Sequence, residues 1–290
     1  MRESVNQVNI EGIINEIRIN EIDKGDKKYI SGDVIVKVND KDGLVSYIPV
    51  SFISANKKTN GEPNKVYQNL QALKSFNSIA SAGEGDADLI QIRGAKITEN
   101  MFVPKGNDEV VVSNRISSNF FTRIQKQNFN PEATFNVITY ILDIQDEQKN
   151  YEGELQDTGR LIITGALVGY NDRVDIAKFI VEDSANVAFI KNHYAIGDTV
   201  RIGGKLNYTE EPVTVEREVG FGEAETRTYT KRKRELIVLR GSAGPLDEEE
   251  SFKEEDIKKA LTERMGRMEA AKQKAQAPAP SQPSRNDYDF

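Results

Sequence analysis

The chain has 290 residues, no cysteine, no tryptophan and one histidine; 38% of residues are hydrophobic, 29% are charged, and the formal net charge is −7. Without cysteine there are no disulfides, thiol nucleophiles or thiolate metal sites, and the lone His193 excludes a histidine-cluster metal site. The length suits two ordinary domains, and the acidic balance leaves any affinity for nucleic acid to local basic patches.

No apolar run approaches the roughly 18 residues of a membrane span. Met1 to Asn6 carries no charged-then-apolar leader, so a cytoplasmic setting is expected, either cellular or that of an infected cell. From Ser242 onward there are eleven acids and eight bases, so the body before it is still mildly acidic. His193 reads as a surface or helix-end residue.

The first predicted strand is Val8 to Ile19, with Val8, Ile10 and Ile14 on one face and a phase shift before Ile17 that marks a bulge. Tyr29 to Val38 follows a polar turn. Ile30, Val34, Val36 and Val38 face one way there, and Tyr29, Ser31, Asp33, Ile35 and Lys37 the other. Asn39 to Gly43 makes a hairpin turn into Leu44 to Phe52, whose core side is Ile48, Val50 and Phe52 and whose outer side holds Tyr47. A helix is predicted over Val66 to Ala80, then a strand over Leu89 to Thr98 and a closing strand near Glu109 to Val112. This is the element order of a five-stranded OB barrel.

Asn114 to Pro131 interleaves Arg115, Arg123 and Lys126 with Phe120, Phe121 and Phe129. It reads as a connection, either apolar glue between domains or a basic, aromatic path for nucleic acid. The second set of elements then begins: strands over Thr134 to Ile144, Arg160 to Tyr170 and Val174 to Val181, and a short helix over Ala185 to Tyr194. The stretch Asp88-Leu89-Ile90-Gln91-Ile92-Arg93-Gly94 now recurs 110 positions later as Asp198 to Gly204, again after a helix. One helix–turn–strand unit is present twice. Thr209 to Arg234 projects as a hairpin around Gly220-Phe221-Gly222, and Glu235 to Leu239 closes the second barrel.

Past the break at Gly241 to Pro245, a helix is expected from Glu248 to about Ala275, acidic at its start as the dipole favours. Its stripe of Ile257, Leu261, Met265 and Met268 suits docking on the body or on a second chain; a solvated spacer is the other reading. Gln276 to Ser284 is a Pro/Gln/Ser stretch, and the chain stops at Asp287-Tyr288-Asp289-Phe290.

Three features resemble the bacterial-type single-stranded-DNA-binding protein family, in a two-barrel version such as a phage or mobile element would encode. Tyr47-Ile48-Pro49-Val50-Ser51-Phe52 looks like that family's third strand. The helix leading into Gly197-Asp198, Val200, Ile202, Gly204 and Leu206 is similar to its helix and fourth strand. The tail ends in acid and a terminal phenylalanine, although Asp289 stands where the family usually has proline. The resemblance implies a mainly β chain with two tandem OB-fold domains, 1–113 and 133–242, joined by 114–132. A helical extension, 243–275, and an acidic, aromatic tail, 276–290, follow. It also implies single-stranded DNA as partner, replication or recombination proteins held by Asp287, Tyr288, Asp289 and Phe290, and a homodimer where two chains supply the family's four barrels. No cofactor or metal is implied.

OB barrels bind single strands on the outer face of strands two and three and in the loops joining strands one to two and four to five. Those places hold Lys27, Lys28, Tyr29, Lys37 and Tyr47 in the first barrel. In the second they hold Arg217, Phe221, Arg227, Tyr229, Lys231, Arg232, Lys233 and Arg234, and the connection adds Arg115 and Arg123. Cations serve phosphates, and flat rings serve bases. The competing readings are that the tyrosines cover an interface, that Phe221 and Tyr229 stiffen the hairpin, and that 231–234 is a solvated charge run. Phe52, Phe76, Phe189 and Tyr194 read as core.

No GxxxxGK(S/T), GxSxG or GxGxxG motif is present, and no carboxylates form a recognisable acid/base or metal set. The expected function is therefore non-enzymatic coating of single-stranded DNA in replication or recombination. A two-domain assembly protein and an RNA-binding OB protein are the alternatives.

Overall fold

The computed structural model describes residues 1–41, 43–104, 106–151, 153–217 and 225–276. Its first unit comprises β1 (Asn6–Lys24), β2 (Lys27–Asn39), β3 (Val45–Ala55), the short helices α1 (Lys65–Gln71) and α2 (Ile79–Ala82), β4 (Leu89–Phe102) and β5 (Val111–Ser117). β1 pairs with both β2 and β4, β4 pairs with β5, and β5 runs parallel to β3 through Val50–Ile116 and Ser51–Ser117. The sheet therefore closes in the order β1-β2-β3-β5-β4-β1, the Greek-key barrel of an OB fold.

After β6 (Thr122–Ile124), a second set follows: β7 (Glu132–Tyr151), β8 (Glu154–Val168), β9 (Val174–Val181), α3 (Ser184–His193), β10 (Thr199–Arg217) and β11 (Glu225–Gly241). It closes as β7-β8-β9-β11-β10-β7, again with one parallel pair, β9 with β11. The chain is thus two tandem OB barrels. The repeat has a structural meaning: Leu89 and Ile92 sit opposite Ile13 and Ile10 on β1, as Thr199 and Ile202 sit opposite Tyr140 and Val137 on β7.

Alternation builds each core. Ile10, Ile30, Val34, Ile48, Ile90 and Ile116 are fully buried in the first barrel, and Phe135 meets Phe179 at 5.7 Å in the second. Each such side chain contributes about 1.5–3 kcal/mol by leaving water. The phase shift expected in β1 is a bulge between Ile14 and Glu16, and β7 repeats it between Ile141 and Asp143. Phe189, expected in the core, is 38% exposed because it lies on the outer side of α3 stacked on His193 at 4.2 Å.

Two boundaries differ from expectation. β5 runs to Ser117, so the closing strand passes residue 113 and Arg115 stands on it rather than on the connection. The single helix over Val66 to Ala80 is broken, because Phe76 is extended (φ −88°, ψ 139°) and Ser78 starts a new helix by capping Ser81. In the connection the two readings divide between neighbours: Phe121 packs edge-on against Phe52 at 5.7 Å, whereas Phe120 is 62% exposed.

The barrels are sewn together by main chain. Asn6 to Glu11 of β1 pair antiparallel with Val137 to Glu132 of β7, so the eleven strands form one sheet. Glu11, only 1% exposed, accepts hydrogen bonds from the Asn130 amide (2.5 Å) and the Gln91 side chain (2.7 Å), which pins the connection.

A last helix, α4 (Glu254–Gln276), docks on the chain's own body. Phe252, Ile257 and Ala260 are buried against Ile138, Tyr140, Ala166, Val168 and Val174, the outer face of β7, β8 and β9. Met265 is 56% exposed, so the expected stripe is used only in part. Farther along, the Arg264 guanidinium donates two bonds to Glu99 of β4 (2.8 and 2.6 Å), and Arg267 reaches the Val174 carbonyl (2.8 Å). α4 therefore ties β4 of the first barrel to β9 of the second. Among the described residues no helix is long and apolar enough to cross a membrane.

Candidate nucleic-acid interface

Register assembles a site that no short motif announces. Arg18 on β1 lies opposite Asp33 on β2, Asp33 opposite Ser51 on β3, Ser51 beside Ser117 on β5, and Ser117 opposite Lys96 on β4. At about 4.8 Å between strands, this polar row crosses roughly 19 Å of the first barrel's outer surface. It floors a cleft of about 980 Å³ between the barrels.

The second barrel supplies the walls. On one side stand Tyr208 and Arg234, opposite each other on the β10–β11 hairpin, with the Arg234 guanidinium 6.0 Å from the ring. Burial pushes the Tyr208 phenol up to about 12, partly offset by Arg234. On the other side is the β8–β9 turn, where Asn171 and Asp172 take left-handed backbone (φ 54° and 57°) that these two residue types tolerate. That turn leaves Tyr170 75% exposed at the cleft. Ser4 braces it, trading two hydrogen bonds with the Val168 main chain (2.7 and 2.8 Å).

Five basic side chains (Arg18, Lys96, Arg115, Arg173 and Arg234) line the cleft against two carboxylates, Asp33 and Asp175. Its local charge thus opposes the −7 of the whole chain. Arg18 is bound by Glu16 at 2.5 Å, Lys96 by Glu3 at 3.3 Å and Arg173 by Asp175 at 3.1 Å. Burial pushes the Asp175 carboxyl up, and Arg173 offsets part of this. Arg115 and Arg234 form no ion pair among the described residues, and both are exposed.

The residues singled out from the sequence fall in several places. Arg115 and Arg234 share the cleft. Tyr29 and Tyr47 lie at opposite ends of the same β2–β3 face, both half-buried, with Lys24 6.0 Å from the Tyr29 ring. Lys27 and Lys28 are at the β1–β2 turn, where Lys28 faces Asp23 at 3.6 Å. Lys37, opposite Tyr47, is 17% exposed and held by Glu84 at 2.6 Å. Arg123 is a tether: it binds Asp88 and the Ser75 carbonyl, each at 2.9 Å, and covers Phe76 at 4.3 Å.

On the hairpin, Arg232 pairs with Glu210 and Lys233 with Glu235, both at 2.9 Å, while Lys231 is exposed and lies opposite Glu211. Tyr229 is 54% exposed farther out. Arg217 and Arg227 belong to the paired stem, with their side chains outside the described part. Phe221 and the tail residues Asp287, Tyr288, Asp289 and Phe290 lie outside the described residues. Sequence reasoning passed over Arg18, Lys96, Arg173 and Tyr170 as site residues; each is an isolated residue on a different element, and only strand pairing gathers them.

The hairpin wall is braced at its base. Arg160 on β8 brings its guanidinium 2.9 Å from Glu235 and 3.5 Å from Glu147, charge contacts in which Nε and Nη2 lack hydrogen-bond alignment. Burial alone would raise the Glu235 carboxyl, but Lys233 and Arg160 outweigh it and hold it below the ordinary value of 4.5. A carboxyl held down in the fold stabilises it above the unfolded value, and that contribution is lost as pH falls through the folded one. Urea denaturation is therefore expected to show this contribution in full from neutrality to about pH 5 and its loss below that. The acid-side slope should be shallower in Arg160→Ala. An unchanged slope in that variant would remove Arg160 from this role.

Part of the second barrel's own outer face is covered by α4. Counting from the matched bulges, Lys37 and Tyr47 of the first barrel correspond to Ala166 and Ile176 of the second. A basic–aromatic pair in one barrel is an apolar pair in the other, and Ala166 lies in the cluster that α4 buries.

Two solved structures of the single-stranded DNA binding protein from Thermus aquaticus are similar to the chain. The wild-type protein matches with 11% identity over 85% of this chain and 95% of its own, at a TM-score of 0.48. A deletion variant matches with 13% identity over 88% and 100%, at 0.46. None of the curated proteins matches the sequence. The family model for YorF, in contrast, matches residues 4–276, and the chain belongs to the YorF family.

Proposed function

We propose that this chain is a non-enzymatic binder of single-stranded DNA that uses one cleft, on the first barrel, walled by the second. The observation that carries the reading is a basic cleft in an acidic protein, crossing all five strands of an OB barrel and edged by the exposed rings of Tyr170 and Phe120. Cations at its edges neutralise phosphates, and the edge rings stack on bases; neither interaction depends on a particular sequence. Such a protein coats exposed strands during replication or recombination in the cytoplasm of a phage's host, with the tail at Asp287 to Phe290 recruiting partners.

The test is fluorescence anisotropy of labelled oligo-dT of about 30 nucleotides, enough for several OB-fold site sizes, across a salt series beside duplex DNA and oligo-U. Binding should weaken with salt and be poor on duplex. Tyr170→Ala should weaken it by about 5- to 150-fold, the loss of one stacked base. Arg115→Ala should reduce the salt slope by about 0.7. Absence of binding at low salt would overturn the reading and leave the barrels as assembly modules, and tighter binding to oligo-U would move it to RNA.

A further inference from the structure

The cleft floor is not a stacking platform. Tyr170, Phe120 and Tyr208 stand at the edges, the Phe52 ring is buried in the core, and the polar row across the floor holds the carboxylate of Asp33. The Ser51 hydroxyl donates to Oδ1 at 2.6 Å, while Oδ2 accepts no hydrogen bond among the described residues. Arg18, directly opposite, acts on it through charge alone, because its guanidinium hydrogen bonds go to Glu16 at 2.7 and 2.5 Å.

A phosphate over Asp33 would meet like charge, whereas Arg234 at one edge and Arg115 toward the other line the cleft with no ion pair among the described residues. The group that lies over Asp33 is then a base edge. A carboxylate only accepts, with about four lone-pair sites on its two oxygens, so those left by Ser51 need a donor. Cytosine offers its exocyclic amino group to such an acceptor, as adenine and guanine do. Thymine offers one ring N–H flanked by two carbonyl oxygens, both repelled by the carboxylate.

We propose that Asp33 gives this cleft a preference for bases carrying an exocyclic amino group over thymine, an inference that rests on the proposed single-strand binding. The experiment compares oligo-dC with oligo-dT of equal length by anisotropy, at one salt concentration and mildly alkaline pH. The native chain should bind oligo-dC about tenfold tighter, about 1.4 kcal/mol. Asp33→Ala should erase the ratio, and so should Asp33→Asn, which keeps a hydrogen-bonding partner for Ser51. Equal native affinities for the two oligomers overturn the inference and leave the proposed function standing; no binding to either removes both. A ratio that survives in folded Asp33→Ala and Asp33→Asn, with both affinities moved by one factor, also overturns it.

Discussion

Replacing Arg264 by alanine is expected to destabilise the chain by about 3–5 kcal/mol, the cost of stranding a buried charge. Its partner Glu99 has a side chain only 1% exposed, and both carboxylate oxygens are taken by the one guanidinium, itself 13% exposed. Without it, the carboxylate keeps its desolvation and loses its counter-charge. At about 2–4 °C per kcal/mol for a chain somewhat smaller than this one, the melting temperature should fall by about 6–20 °C. Replacing both partners with apolar groups, Arg264→Met with Glu99→Leu, should return stability to within about 1 kcal/mol of the native chain. A loss under about 1 kcal/mol for Arg264→Ala would show that apolar docking alone holds α4. If the proposed function holds, the same substitution should also weaken DNA binding, because α4 fixes the floor strand β4 against β9, beside the turn that carries Tyr170.

The second large effect is expected at Gly204. A β-carbon there would lie 1.8 Å from the Ile237 carbonyl oxygen, 2.8 Å from its carbon and 3.0 Å from the Phe135 ring. No side-chain movement relieves a contact with main chain, and the site sits at the register shift between β10 and β11. Gly204→Ala should therefore cost about 3 kcal/mol or more, the upper end of overpacking. Its repeat partner Gly94 has open space around it but a left-handed φ of 66°. Gly94→Ala should cost only about 1–2 kcal/mol, the steric penalty of that conformation. Urea midpoints of the two variants provide the check, and equal losses would contradict the assignment.

That pair shows what the letters disclosed and what they did not. The recurring Asp-x-(Ile/Val)-x-Ile-x-Gly announced two equivalent strands, and both pair in the same register with the first strand of their barrels. One glycine is required for its backbone angle and the other for its lack of volume, a difference that only the surrounding atoms create. The same holds at the interface. Alternation placed Tyr29 and Tyr47 on the outer face of β2–β3, which is where their strands carry them. It was silent about what stands over that face, because Tyr208, Arg234 and Tyr170 come from the other barrel. The Lys231–Arg234 run was visible as a charge cluster, yet Arg232 and Lys233 are matched by Glu210 and Glu235. Arg18 and Lys96 left no local signal at all, since their relation to Asp33 and Ser51 is perpendicular to the chain.

The covered face of the second barrel has a consequence for coverage. On the proposed function, a chain whose two barrels were both open would protect two lengths of strand, whereas the cleft lies on the first barrel and α4 covers part of the second barrel's face. If one cleft per chain holds the strand, saturating a given length of DNA would take about twice as many chains as barrel counting predicts, with the second barrel acting as scaffold. Protein per nucleotide at saturation would in that sense be set by where one helix lies down.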